Sequence, residues 1–257
     1  MPRTVVATRY VTPLREGGSL PAIVEADDDG LYVLKFRAAA QGPRVLAAEL
    51  IAGEIGRALG LPVPEIAFVQ LDPILANAEP DPEISALIES SGGLNVALDF
   101  LPGALPFNPA VGPIPGAELC ADVVWFDALV TNPDRTVQNP NILVWHGAPW
   151  LIDHGAALFI HHTWRDPQAH ARRPFRHSRS HVLWPHAGSL VDADRRLAPR
   201  LDRDLVGAIV ELVPDEWLPS DGPIGDPDAQ RRAYREYLGR RLRAPRPFLV
   251  EPADAVA

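Results

Sequence analysis

The 257-residue chain has one lysine, one cysteine and one methionine. With Cys120 alone, no intrachain disulfide can form, which fits a reducing compartment. No apolar run approaches the ~18 residues of a membrane span, and the first eleven residues carry no signal-peptide pattern, so a cytoplasmic protein that does not use a membrane is expected. No G-x-G-x-x-G follows a strand. The residue before the only lysine is Leu34, which excludes a Walker loop, and G-x-S-x-G and H-E-x-x-H are absent. A net charge of −9 argues against nucleic-acid binding through a general positive field.

The lysine shortage carries information because 23 arginines accompany it. Where charge alone suffices, this chain uses arginine. Lysine is a compact point charge and arginine a planar fork, so the surviving Lys35 marks a place the fork does not serve. Phosphate-holding sites are of that kind.

Short strands are expected over 4–12 and 20–26, and Asp27-Asp28-Asp29-Gly30 is a hairpin turn. In the next strand, alternation puts Tyr32, Leu34 and Phe36 on one face and Leu31, Val33 and Lys35 on the other. Arg44 to Leu59 predicts a helix closed by Gly60. Strands are expected at 65–71 and 94–101, with a loop-like stretch over 73–93 that holds one short helix near 84–89. Beyond a proline-rich segment, 117–130 predicts a strongly apolar helix, 142–152 a hairpin, and 202–213 and 226–242 helices. The tail after Arg243 reads as extended, and Cys120 and the tryptophans read as core.

Asparagine is scarce too, yet three of six fall between 132 and 141. Asp134 and Asn139 are five apart in a polar loop, and Asp153 stands two before Gly155 after the hairpin. Phosphoryl transfer from ATP calls for these parts. One carboxylate receives the acceptor's proton, an asparagine and a second carboxylate hold magnesium, a lysine neutralises phosphate, and a glycine turn approaches the phosphates. Asp134, Asn139, Asp153, Lys35 and Gly17-Gly18-Ser19 supply them in that order of roles.

The order of these motifs resembles the HipA-like kinases, relatives of the protein and phosphatidylinositol kinases. The resemblance rests on Gly17-Gly18-Ser19-Leu20-Pro21, Tyr32-Val33-Leu34-Lys35-Phe36, Ala48-Glu49-Leu50, Leu59 to Pro64, Asn132-Pro133-Asp134-Arg135 with Asn139-Pro140-Asn141, Asp153-His154-Gly155, and C-terminal stretches around Trp217 and Tyr234. It implies an α+β, two-lobed, protein-kinase-like fold: a small antiparallel-sheet N-lobe over 1–101 and a mainly helical C-lobe over 102–257. It implies ATP and Mg²⁺ as cofactors and transfer to Ser or Thr of a protein. A small-molecule acceptor and a nucleotide-binding pseudokinase are the alternatives, and distant relatives add an antitoxin-type partner.

In the roles the resemblance implies, Lys35 holds the ATP phosphates and Glu49 pairs with Lys35. Gly17, Gly18 and Ser19 cover the phosphates, and Asp99 and Leu101 belong to an adenine-binding hinge. Asp134 is the catalytic base, and Asn139 and Asp153 bind magnesium. Helical spacing leaves Glu54 open beside Glu49, and Asn141 open beside Asn139. Departures are Asn132, where related kinases carry histidine two before the base, and His154 after Asp153. Residues 161–186 hold six of the eight histidines, five arginines and one acid, and read either as a solvated basic loop or, because they follow Asp153 to Gly155, as an activation-segment equivalent that docks an acidic or phosphorylated partner.

Overall fold

A computed structural model describes residues 2–14, 20–39, 42–220, 222–246 and 248–249. The predicted turn Gly17-Gly18-Ser19 lies outside them.

Strands β1 (Arg3–Pro13), β2 (Ala22–Ala26), β3 (Leu31–Lys35), β4 (Ile66–Leu71) and β5 (Gly93–Asp99) close into a barrel in the order β1-β2-β3-β5-β4. Four of the five pairings are antiparallel, and the fifth, β1 with β4, is parallel and completes the ring. β1 can serve two neighbours because it is bulged. Residues 3–6 pair β4, the register shifts after Ala7 and again after Tyr10, and the strand continues along β2. The period-2 pattern fills the barrel: Val5, Ala7, Val24, Tyr32, Leu34, Val69 and Ala97 are all buried in one cluster. Lys35 points the other way, as the alternation predicts.

Helix α1 (Arg44–Ala58) lies across the outside of β4 and β5, and its apolar residues join the larger core of the helical lobe. The stretch expected to be loop-like is more ordered than that: a 3₁₀ turn at Pro73–Ala78 and helix α2 (Pro82–Ser90) each start with proline behind an aspartate cap. The chain beyond β5 leads into β6 (Leu105–Pro106), a strand the proline-rich sequence conceals, which pairs with the hairpin β7 (Ile142–Trp145) and β8 (Ala148–Leu151).

The helical lobe is built around α3 (Ala117–Val130), which is apolar on every side and buried accordingly. Around it stand α4 (Pro167–Ala171), α5 (Leu190–Leu197), α6 (Arg203–Glu211) and α7 (Pro227–Leu242). α5 went unseen in the sequence because it is short and carries four charges. The tail is not simply extended: Phe248 is fully buried, edge-on to Trp125 and beneath the Arg241 guanidinium. Trp145 and Trp150 depart from the core assignment, standing half-buried on the β7–β8 hairpin.

Candidate active site

A cleft of about 1220 Å³ separates the barrel from the helical lobe. Lys35, Asp99, Leu101, Asp134, Asn139 and Asp153 all line it, so those predicted residues come together. Glu49 stands just behind the wall.

On the barrel side, Lys35 leaves the end of β3 and is 7% exposed. Its Nζ lies 2.7 Å from Asp153 Oδ1 and 3.9 Å from Glu49 Oε2. Burial alone would lower the Lys35 pKa, but the two carboxylates outweigh it and hold it above the ordinary value. Glu49, 1% exposed, would be raised by burial, and Lys35, the His154 imidazole and the His154 backbone N–H instead keep it well below the usual carboxylate range. That N–H donates to Glu49 Oε1 at 3.0 Å, so the helix glutamate fixes the backbone next to Asp153. Glu54 faces elsewhere and pairs with Arg57.

The glycine of Asp153-His154-Gly155 has a steric reason. A Cβ on Gly155 would sit 2.6 Å from Val45 Cγ1 and 3.4 Å from Glu49 Oε2, so a side chain there would push α1 away from Lys35. Asp153 itself has φ +56° and Asn141 φ +49°, and Asp and Asn are the residues other than glycine that best tolerate this region. The two are tied through the Ile152 N–H, which donates to Asn141 O at 3.0 Å.

On the opposite wall, Asn139 Nδ2 and Asn141 Nδ2 both donate to Asp134 Oδ2, at 2.7 and 3.0 Å. Oδ1 of Asp134 is left for another partner, and both asparagine amide oxygens are left as acceptors. After β5, Asp99 N–H donates to Glu65 O and Phe100 N–H to Leu31 O, while the Leu101 N–H has no backbone acceptor among the described residues.

The loop stands on residues that the sequence reading missed. Asp127, fully buried on α3, takes Arg135 Nε at 2.7 Å and Asn132 Nδ2 at 3.1 Å, and His181 Nε2 lies 2.9 Å away. Arg135 in turn binds the carbonyls of Asn141 and Ile152, and Asn132 Oδ1 accepts the Asp134 N–H. Burial would raise the Asp127 pKa, and Arg135 and His181 instead drive it far below the normal range. An acid between Phe126 and Ala128 in an otherwise apolar helix was the available signal. Asn132, a departure from related kinases, thus orients the loop.

Among the described residues no group of three or more His, Cys, Asp or Glu is arranged to hold a metal, so a cation here would rely on amide and carboxylate oxygens together. No described helix is long and apolar enough to cross a membrane.

The sequence matches the HipA-like kinase family over residues 8–242. Among solved structures, a Helicobacter pylori proinflammatory kinase, CtkA, is similar at 14% identity and a TM-score of 0.56, covering 91% of this chain and 93% of that one. The Golgi casein kinase, solved with Mn and ADP bound, gives 14% identity and a TM-score of 0.45 over 93% of this chain and 73% of that one. Such identities speak for the fold alone. No curated protein matches in sequence. With a family match across nearly the whole chain and a two-lobed kinase-like fold around one cleft, the chain belongs to the HipA-like kinases.

Proposed function

We propose that this phosphotransferase moves the γ-phosphate of ATP, with magnesium, to a Ser or Thr hydroxyl of a protein. The observation that carries the proposal is the pairing of walls: Lys35 with its two carboxylates faces the cleft from one side, and Asp134 with its two asparagines from the other.

The donor set fits the cofactor. Magnesium prefers hard oxygen ligands, and Asp153 carboxylate with the Asn139 amide oxygen would hold it, Asn141 being the alternative to Asn139. Bound there, the cation would neutralise charge on the transferred phosphoryl group. Lys35 would hold phosphate oxygens, and Glu49 keeps Lys35 charged and aimed. Leu101 N–H would meet the adenine edge, with Asp99 beside it at the boundary between lobes 1–101 and 102–257.

In the transfer, the acceptor oxygen bonds to the γ-phosphorus as the bond to the β–γ bridging oxygen breaks. The hydroxyl proton passes to Asp134 Oδ1, because Oδ2 is occupied by Asn139 and Asn141. Val137, Gln138 and Asn139 are exposed at this edge, which leaves room for a hydroxyl carried on a macromolecule.

Incubation with γ-labelled ATP, magnesium and a proteome extract is expected to label protein bands, and the Asp134→Asn chain to label none. Label confined to small molecules would move the acceptor to that class. An ATP-binding chain that labels nothing would overturn the activity and leave the pseudokinase.

A further inference from the structure

The basic stretch has a definite shape. Arg165, Arg172, Arg173, Arg176 and Arg179 are all exposed. The single acid among them, Asp166, caps α4 by accepting the Ala169 N–H at 3.2 Å. None of the five arginines has an acidic partner among the described residues, whereas Arg9, Arg37, Arg195, Arg196, Arg235 and Arg246 each have one. In a chain of net charge −9, five unmatched arginines in fifteen residues form a local exception.

Their position relates them to the transfer site. Arg176–Ser180 is a 3₁₀ turn, whose repeat of three brings Arg176 and Arg179 to the same side while Ser178 is buried beneath. The next residue, His181, bridges to Thr136, and the Val182 N–H donates to Arg135 O at 3.0 Å. The buried contact of His181 with Asp127 fastens the turn from below. The turn is therefore fixed to the loop that carries Asp134. Summing chain spacing and one strand separation puts the Arg179 backbone within about 20 Å of that of Asp134, a span of about six extended residues.

We propose that this turn recognises acidic side chains flanking the acceptor hydroxyl, so that the substrate is an acidic protein segment. The proposal rests on Asp134 being the group that meets the acceptor. A peptide is favoured over nucleic acid or membrane because the patch is small, the chain as a whole is acidic, and the turn is fastened to the loop that carries Asp134. Arginine forks suit carboxylates in two-point contact.

The test uses matched serine peptides flanked on both sides by Glu, Gln or Arg. The wild-type chain is expected to favour the Glu peptide over the Gln peptide about tenfold in kcat/KM, less at high salt. The double variant Arg176→Glu with Arg179→Glu is expected to lose this preference and favour the Arg peptide, with ATP affinity unchanged. Equal use of the three peptides by wild type, or a preference that survives the double reversal, overturns the proposal. Should no peptide be phosphorylated, the protein-acceptor reading fails by itself, and anisotropy of a labelled Glu peptide decides on the patch: binding abolished by the reversal supports it, binding unchanged overturns it. Tighter binding of single-stranded RNA or phosphatidylserine vesicles than of the Glu peptide also overturns it.

Discussion

Lys35 and Asp153 are 118 residues apart in sequence, and Glu49 bonds a backbone 105 residues further on, whereas Asp134 and Asn141 are separated by seven. The first wall is therefore assembled from a strand end, a helix and a turn, and it is correct only if barrel, α1 and hairpin are correctly placed. The second wall is nearly self-contained. It is a loop of a dozen residues moulded around one buried ion pair, Asp127 with Arg135. Long-range assembly makes the first wall sensitive to how the lobes sit. Local assembly makes the second depend on a charge that must never lose its partner.

The comparison is most sharply tested at the groups facing the acceptor and the phosphates. Asp134→Asn keeps an oxygen for the two asparagine donors, so its melting temperature should match wild type while phosphoryl transfer falls about 10³-fold. Lys35→Met should also cost orders of magnitude in turnover, but with a stability penalty. It leaves Glu49 buried without its cation, and removing one partner of a buried pair costs about 3–5 kcal/mol. In urea unfolding, Lys35→Met with Glu49→Gln should recover much of that stability and none of the turnover. A stable but inactive single variant would mean that Glu49 does not need Lys35 in the fold.

The second wall is challenged at its base. Asp127→Asn strands the Arg135 guanidinium, with an expected loss of about 3–5 kcal/mol. Asp192→Asn, which breaks the exposed pair with Arg195, should cost well under 1 kcal/mol. Equal losses would remove the distinction drawn between the two walls.

A graded effect, smaller than the loss of either buried pair, concerns pH. Burial lowers the pKa of His161 well below its ordinary value, and that of His181 is lowered in the same way. As pH falls below about 6.5 the unfolded chain binds protons that the folded chain refuses, so stability falls, by up to about 1.4 kcal/mol per pH unit per histidine. The loss levels off once the folded-state pKa is passed. His161→Gln should make the dependence of unfolding free energy between pH 6.5 and 5 shallower, and an unchanged slope would show that His161 takes up its proton in the folded state.

What was legible in the sequence follows the same division. Strand alternation placed β3, and runs of helix-forming residues with clear stops placed α1 and α3. Spacing pointed to Asp134, Asn139 and Asp153, because local loops keep their members close in sequence. Periodicity left Glu49 against Glu54 open, since it put Glu54 in the apolar stripe and Glu49 on the glycine-lined face of a helix that is covered on both sides. β6 was hidden by prolines at a sheet edge, and Asp127 by the habit of reading an apolar helix as nothing but core. Barrel closure was out of reach because β1 carries its parallel pairing only through a register shift, which composition does not announce.

That closure restricts how other proteins can approach. In the ring β2, β3, β4 and β5 each have a neighbour on both sides, so among the described residues a peptide adding a strand is limited to β1, whose residues 3–6 pair β4 and whose later residues pair β2. A regulator that grips the rest of this lobe must do so through side chains, or turn to the three-stranded sheet, whose outer strands are β6 and β8.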